Sequence, residues 1–379
     1  MPSQEVKPKN SPTVGAIFHC LYRSSEPLTK QEVAAQCNLS LPTVHQGFTA
    51  LEEAKLLQDG AERTSTGGRR AQTFAITRTA VATIGISLTG HSARCVACNL
   101  FGERFDDLYL KQPLPKKRTA AALNTMIAQL TDAMAAKLRA RNIIIAGIGV
   151  AVPSAIDPAS GKLLNTSVLR LGSGDVTAEE LVDGISYPAS VHNDANCGGF
   201  SQCFPVPAGT DLAYLSLERG VGGAVIIDGK PFEGPRGISG EFGHICIEPG
   251  GKTCACGRAG CLEAYCSSNV LSEERGCTLD EFFEQVGDGN VDAQGALTEY
   301  IGHLVRGIQT IHTMLGVDVA LGGELASYLD PYFNQICEAV QAIDPFPTEE
   351  PYVLRAVHPH HGVPIGAAQL AAQRFIEGI

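Results

Sequence analysis

Between residues 240 and 265 the chain reads GEFGHICIEPGGKTCACGRAGCLEAY, a stretch holding one histidine and four cysteines. No other feature constrains the fold as strongly. Cys254, Cys256 and Cys261 can meet only if the backbone reverses tightly, which Gly257 and Gly260 permit. His244 must also be brought back from ten residues upstream. The residue types leave three readings open: a metal site, a redox pair, or a loop of small buried side chains.

The rest of the sequence bounds that choice. A chain of 379 residues exceeds what one hydrophobic core usually holds, so a small domain plus a larger one is expected. The net charge of -11 is uneven: residues 1–80 carry nine Lys or Arg against seven Asp or Glu, and the remainder 20 against 33. Only the N-terminal piece can approach a phosphate backbone without strong repulsion. The opening MPSQEVKPKNSP lacks the apolar core of a secretory signal, and no later run reaches the length of a membrane span. These features predict a cytoplasmic protein with no membrane partner, in which cysteines serve as thiols or metal ligands rather than disulfides.

In the N-terminal piece, Val14, Ile17, Phe18 and Leu21 recur at helical spacing. Thr29 followed by Glu32 three residues on has capping-box spacing, and Ser40 can cap a further helix that tolerates Pro42 in its first turn. That last helix buries Val44, Phe48 and Leu51 and turns Thr43, His45, Gln46 and Thr49 outward. Two short helices joined by a tight turn, the second presenting small polar side chains, predict a helix-turn-helix. RTSTGGRRAQTFAIT then reads as a hairpin with Arg63, Arg69 and Arg70 near its tip, the wing of a winged helix-turn-helix. Thr43, His45, Gln46, Arg63, Arg69 and Arg70 are thus the candidate DNA contacts.

From about residue 82 the pattern changes to strands in tandem, a long amphipathic helix over 118–141, and a buried strand ending in VPSAID. YPASVHNDANCGGFSQ is a strand running into a helix, with Asn193 and Asp194 at the junction, where Asp194 can serve as a helix N-cap. A hairpin at Asp228-Gly229 and a later helix-strand-Gly turn complete a second half. Two strand-helix halves predict two α/β lobes with a ligand cleft between them. Cys95 and Cys98, spaced C-x-x-C within a strand, should face opposite ways and be buried as small hydrophobes.

A winged helix-turn-helix followed by VHNDAN, GEFGH and CACGRAGCLE resembles the ROK family of bacterial repressors and sugar kinases. The resemblance covers nearly the whole chain. It implies a DNA-binding domain over 1–80 and, over 81–379, the two-lobed actin-like sugar-kinase (ribonuclease H-like) fold. Lobe one is expected over about 81–193 plus the C-terminal helix, and lobe two over about 194–362. The segment fits the family's C-x-C-G-x-x-G-C-x-E zinc pattern, so the open question resolves toward a structural Zn²⁺ held by His244, Cys254, Cys256 and Cys261, a donor set that zinc prefers. The resemblance also implies a sugar site formed by Asn193, Asp194, Glu241, His244 and Glu263, and a homodimer or homotetramer.

Two departures bear on activity. Where the family's kinases carry D-x-G-G-T, Ser87, Thr89 and His91 stand in place of Asp, Gly and Thr; where they carry G-T-G-x-G, Glu218 and Arg219 replace Gly and Thr. An anionic Glu218 beside a triphosphate is repulsive. The expectation is a non-catalytic sugar sensor, a repressor of carbohydrate-utilisation genes that binds an operator and a sugar or sugar phosphate. The alternative is an ATP-dependent hexose or N-acetylhexosamine kinase with Asp194 as its base. Ser154, in a loop where the family usually has Gly, is expected to crowd or hydrogen-bond the sugar, and Asn165 is a weaker candidate.

Overall fold

Local signals set the first elements. Pro12 in the first turn starts α1 (Pro12–Arg23), which buries Val14, Ile17, Phe18 and Leu21. After the two-residue strand β1 (Leu28–Thr29), the Thr29–Glu32 capping box opens α2 (Lys30–Cys37), and Asn38 ends it in the left-handed region at φ 54. Ser40 accepts from the Thr43 N–H to cap α3 (Leu41–Glu53). Strands β2 (Leu57–Thr64) and β3 (Arg70–Ile76) pair antiparallel, and β1 adds to β3. The computed structural model describes residues 11–64, 70–171, 175–204 and 209–379. The tip of that hairpin, with Arg69, lies outside them.

Two five-stranded sheets follow, built to one plan. The first contains β4 (Val81–Leu88), β5 (Ser92–Asn99), β6 (Arg104–Pro113), β7 (Ile144–Val152) and β8 (Ala189–Asn193), in the order β6-β5-β4-β7-β8. Between its strands run α4 (Ala120–Arg139) and the short α5 (Ala178–Val182). After α6 (Asp194–Phe200) come β9 (Leu212–Leu217), β10 (Val221–Ile227) and β11 (Lys230–Pro231). The helices α7 (Glu263–Cys266), α8 (Ser268–Leu271), α9 (Leu279–Gly287) and α10 (Val291–Leu315) lead to β12 (Asp318–Gly322). Then α11 (Glu324–Leu329), α12 (Phe333–Ile343), β13 (Val353–Arg355) and α13 (Gly362–Glu377) end the chain. The second sheet runs β11-β10-β9-β12-β13, again three antiparallel strands followed by two parallel ones.

Each sheet is apolar on both faces. In the first, Ile84, Ile86 and Cys95 pack toward α4, while Val96 and Cys98 meet Ile365 and Ala368 of α13. Cys95 and Cys98 therefore face opposite ways, as their alternation in β5 predicts. α13 and α6 pack against each other, with Cys197, Phe200, Ala367 and Leu370 in one cluster. Their contact is close: a Cβ on Gly366 would lie 1.8 Å from the Cys197 carbonyl oxygen, so glycine is required there. The other end of α13 leaves the lobes. Phe375 and Ile376 share a core with Ile17, Phe18, Phe48 and Leu51 of the N-terminal unit, together with Val81 and Leu100.

Candidate functional site

The cysteine-rich segment folds as a knot of short backbone bonds rather than regular structure. A 3-10 turn at Phe242–His244 presses against β10, where a Cβ on Gly243 would meet the Val221 carbonyl oxygen. Cys254 N–H donates to the Arg258 carbonyl at 2.7 Å, and Gly257 N–H to the Cys254 carbonyl at 2.9 Å. Gly257 and Gly260 take φ of 85 and 82, the left-handed turns the sequence called for. The ligand atoms of His244, Cys254, Cys256 and Cys261 consequently all lie within 4.8 Å of one another. Cys256 and Cys261 sulfurs are 3.7 Å apart, and Cys254 Sγ is 3.8 Å from His244 Nδ1. A tetrahedral ion with metal–sulfur bonds of about 2.3 Å needs ligand edges of about 3.8 Å. The donor set fits such an ion. Cys246, exposed, and Cys266, buried in the second lobe's core, lie outside the cluster.

A cleft of ≈ 1120 Å³ separates the two sheets, and Asn193, Asp194, Glu241, His244 and Glu263 all line it, with Ser154 and Asn165. Asn193 ends β8 and is the N-cap of α6: its Oδ1 accepts from the Asn196 N–H at 2.9 Å, and its Nδ2 donates to the Ser154 carbonyl at 3.2 Å. Asp194 is therefore not the cap but the first helical residue. Its Oδ1 accepts from the Ala195 N–H at 2.8 Å, and the carboxylate lines the cleft. Burial pushes its pKa up to about 7, and the carboxylates of Glu218 and Glu241 add to the shift. Glu263 Oε2 accepts from the Val221 N–H at 3.0 Å and Oε1 lies 3.6 Å from Cys254 Sγ, so this residue joins the cysteine loop to β10. The Ser154 hydroxyl donates to the Ala155 carbonyl and accepts from the Asn165 N–H, which makes it a loop fastener.

Two backbone donors at the first departing loop are occupied by the chain's own side chain. Thr89 Oγ1 accepts from the N–H groups of His91, at 3.3 Å, and Ser92, at 3.1 Å. Glu218 Oε1 accepts from the Glu324 N–H at 3.3 Å. Burial raises the Glu218 pKa, with Arg94 opposing and Glu324 reinforcing. Arg219 is ion-paired with Glu273 at 2.6 Å.

In the N-terminal unit, His45, Gln46 and Thr49 are exposed on α3 and Thr43 is half-exposed, its hydroxyl 2.7 Å from that of Ser40. Lys30 Nζ lies 3.3 Å from His45 Nδ1, adding a cation to this face. Arg63 lies on β2 rather than at a tip, paired with Glu26 at 2.5 Å and Glu32 at 3.9 Å. Arg70 pairs more loosely with Glu62 at 3.4 Å. Sequence reasoning missed Arg94, Lys111 and Arg170, which also line the cleft. A lone arginine in the otherwise small and apolar β5 was the available signal for the first of them.

Known proteins share this architecture. A family model described as ROK family matches residues 83–374. The DNA-binding transcriptional dual regulator NagC of Escherichia coli (strain K12) is 27% identical over 383 residues, covering 93% of this chain and 90% of that protein. N-acetylmannosamine kinase of Salmonella typhi is 27% identical over 273 residues, covering 69% of this chain and 88% of the kinase. Among solved structures, a ROK family transcriptional regulator homologous to E. coli Mlc superposes with a TM-score of 0.74 at 17% identity, covering 96% of both chains. A ROK family glucokinase from Streptomyces griseus, in complex with glucose and AMPPNP, gives 0.63 at 21% identity, covering 77% of this chain and 99% of that one. At these identities the two superpositions speak to fold alone. Among the described residues no helix is long and apolar enough to cross a membrane.

Proposed function

This chain belongs to the ROK family, and from that premise we propose that it is a sugar-responsive DNA-binding transcriptional regulator, a repressor of carbohydrate-utilisation genes, whose cleft binds sugar without phosphorylating it. The observation that carries this reading is coverage: likeness to the regulator spans 93% of the chain, whereas likeness to the kinase spans 69%. The N-terminal unit supplies what DNA binding needs, a capped α3 with exposed His45 and Gln46 set on a three-stranded sheet, and we read it as a winged helix-turn-helix. Residues 1–80 form the DNA-binding domain in this reading and 81–379 the sugar-binding one.

In the cleft, the oxygens of Asp194, Glu241 and Glu263 and the amide of Asn193 suit the hydroxyls of a sugar, because a site built of buried polar groups rejects ligands that leave them unpaired. His244, Cys254, Cys256 and Cys261 hold a zinc ion whose role is structural: four protein ligands leave no position for an activated water. Phosphoryl transfer needs backbone donors and a metal-binding carboxylate at the nucleotide. Ser87 removes the carboxylate, Thr89 occupies two donors of the first loop, and Glu218 adds negative charge at the second. Sugar closes the lobes, and the resulting change in spacing of paired DNA-binding domains in a dimer or tetramer weakens engagement of both half-sites.

The test is anisotropy titration of labelled duplexes selected from genomic fragments, at several salt concentrations, with and without sugars. Affinity should fall steeply with salt, and Gln46→Ala should weaken binding by about 1–3 kcal/mol if it reads a base. Binding that ignores both salt and Gln46 sinks the DNA-reading assignment. The kinase reading draws support from Asp194, a carboxylate poised near neutral pH. Sugar-dependent ADP release in a coupled assay would replace the sensor with an enzyme.

A further inference from the structure

The N-terminal unit carries a pair of thiols at the rim of its core. Of the thirteen cysteines, three converge with His244, and Cys95, Cys98, Cys197 and Cys266 have no exposed surface. Cys20 of α1 and Cys37, the last residue of α2, are only half-buried and so open to small solutes. Their side chains reach across to each other's helix. Cys37 Sγ lies 3.6 Å from the Ala16 carbonyl oxygen, and Ala16 is one helical turn before Cys20 on the same face of α1. Cys20 Sγ lies 3.2 Å from Oε1 of Gln36, the residue next to Cys37. Burial and the adjacent Cys37 thiol push the Cys20 pKa up to about 11. The pair sits where α1 meets the turn into α3. Asn38, directly after Cys37, ends α2 in the left-handed region, and Ser40 caps α3. α3 itself lies flush on α1: a Cβ on Gly47 would fall 2.3 Å from Ile17 Cδ1.

We propose that Cys20 and Cys37 are a redox-sensitive modification site: a small disulfide of the oxidised-glutathione class converts them to an intramolecular disulfide, which weakens DNA binding by the N-terminal unit. The bond does not depend on any function of that unit; its effect on DNA rests on the DNA-reading proposal. The thiolate of Cys37 attacks one sulfur of the small disulfide and expels the first thiol. Cys20 then displaces the second from the mixed disulfide, its proton passing to the departing thiolate. Two protein thiols are oxidised, and one small disulfide is reduced to two thiols. Bonded sulfurs lie closer than two thiols can approach, so the end of α2 is drawn toward α1. With α3 already flush on α1, the shift is taken up in the turn at Asn38, which re-aims His45 and Gln46. In a reducing compartment such bonds are transient, so the site reports a rise in oxidant.

Equilibration of the full chain in glutathione buffers from reducing to oxidising, followed by alkylation and peptide mass spectrometry, tests this. A peptide cross-linked through Cys20 and Cys37 should become the main disulfide product in oxidising buffer, with metal content unchanged, and dithiothreitol should remove it. Anisotropy with a selected duplex should show roughly tenfold weaker binding by the oxidised form. Cys20→Ser and Cys37→Ser should bind like the reduced parent and ignore the buffer. Cys20 and Cys37 alkylated as free thiols in every buffer overturn the proposal, whether or not Cys254, Cys256 and Cys261 oxidise in their place. A cross-link that leaves DNA affinity unchanged overturns the switch, as does a buffer response that survives in both serine variants. A chain that binds no duplex in either state sinks the DNA-reading proposal instead, and the cross-link still decides whether the dithiol site exists. The mapping uses the unaltered protein, so it stands even if a variant fails to fold.

Discussion

The hydroxyl of Tyr22 donates to the carbonyl oxygen of Leu100 at 2.8 Å, tying the first helix of the chain to the turn after β5. The Tyr22 ring stacks on Phe101 with centroids 4.8 Å apart, and Arg78 covers the other partner's ring. The N-terminal unit is thus built onto the first lobe through a common core, not tethered beside it. Tyr22→Phe should cost about 0.5–1.5 kcal/mol, and Phe375→Ala about 3–5 kcal/mol. Denaturant unfolding followed by probes in both regions should give one coincident transition. An N-terminal unit that melts unchanged in Phe375→Ala contradicts the common core.

Metal content is the simplest check on the cysteine segment. Purified protein should carry about one zinc per chain by elemental mass spectrometry, and Cys256→Ser should lose it and melt at lower temperature. Full stability in the metal-free state would mean that the four side chains converge for another reason.

Helix α13 lies so close to the first sheet that a Cβ on Gly149 would fall 1.9 Å from the Ala367 carbonyl oxygen. Backbone must move to accept it. Gly149→Ala is therefore expected to destabilise by about 1–3 kcal/mol or more, read as a lower urea midpoint with an unchanged slope.

The elevated pKa of Asp194 has a definite sign in stability. The native carboxyl holds its proton up to about pH 7, whereas the unfolded chain releases it near the ordinary aspartate value of 3.8. Between these values the native state binds more protons, so stability from this group is present at low pH and falls as pH rises toward 7. Asp194→Asn should remove that slope: the variant gains stability over the parent at pH 8, and the gain disappears near pH 4. Parallel melting curves across this range would show that Asp194 titrates normally.

Much of this was legible from the sequence because it depends on near neighbours. Thr29 and Glu32, Ser40 and Thr43, and the alternation of Cys95 and Cys98 all act over a few residues, and the cysteine spacing carries its own turns. Asn193 and Asp194 are both good cap formers, and only the exact phase of α6 decides that Asn193 caps while Asp194 faces the cleft. Arg63 looked available for phosphate, but hairpin register sets it against Glu26. The joint core of α1 with α13 was out of reach, since Phe18 and Phe375 are apolar residues without local pattern to pair them across the whole chain.

That pairing of first and last elements orders events during synthesis. α1 leaves the ribosome long before α13, whose Phe375 and Ile376 complete its core, and the Ile379 carbonyl oxygen lies against Gly15. Contacts of such long sequence separation form late. A polypeptide cut short before α13 therefore lacks part of the core that supports its N-terminal unit.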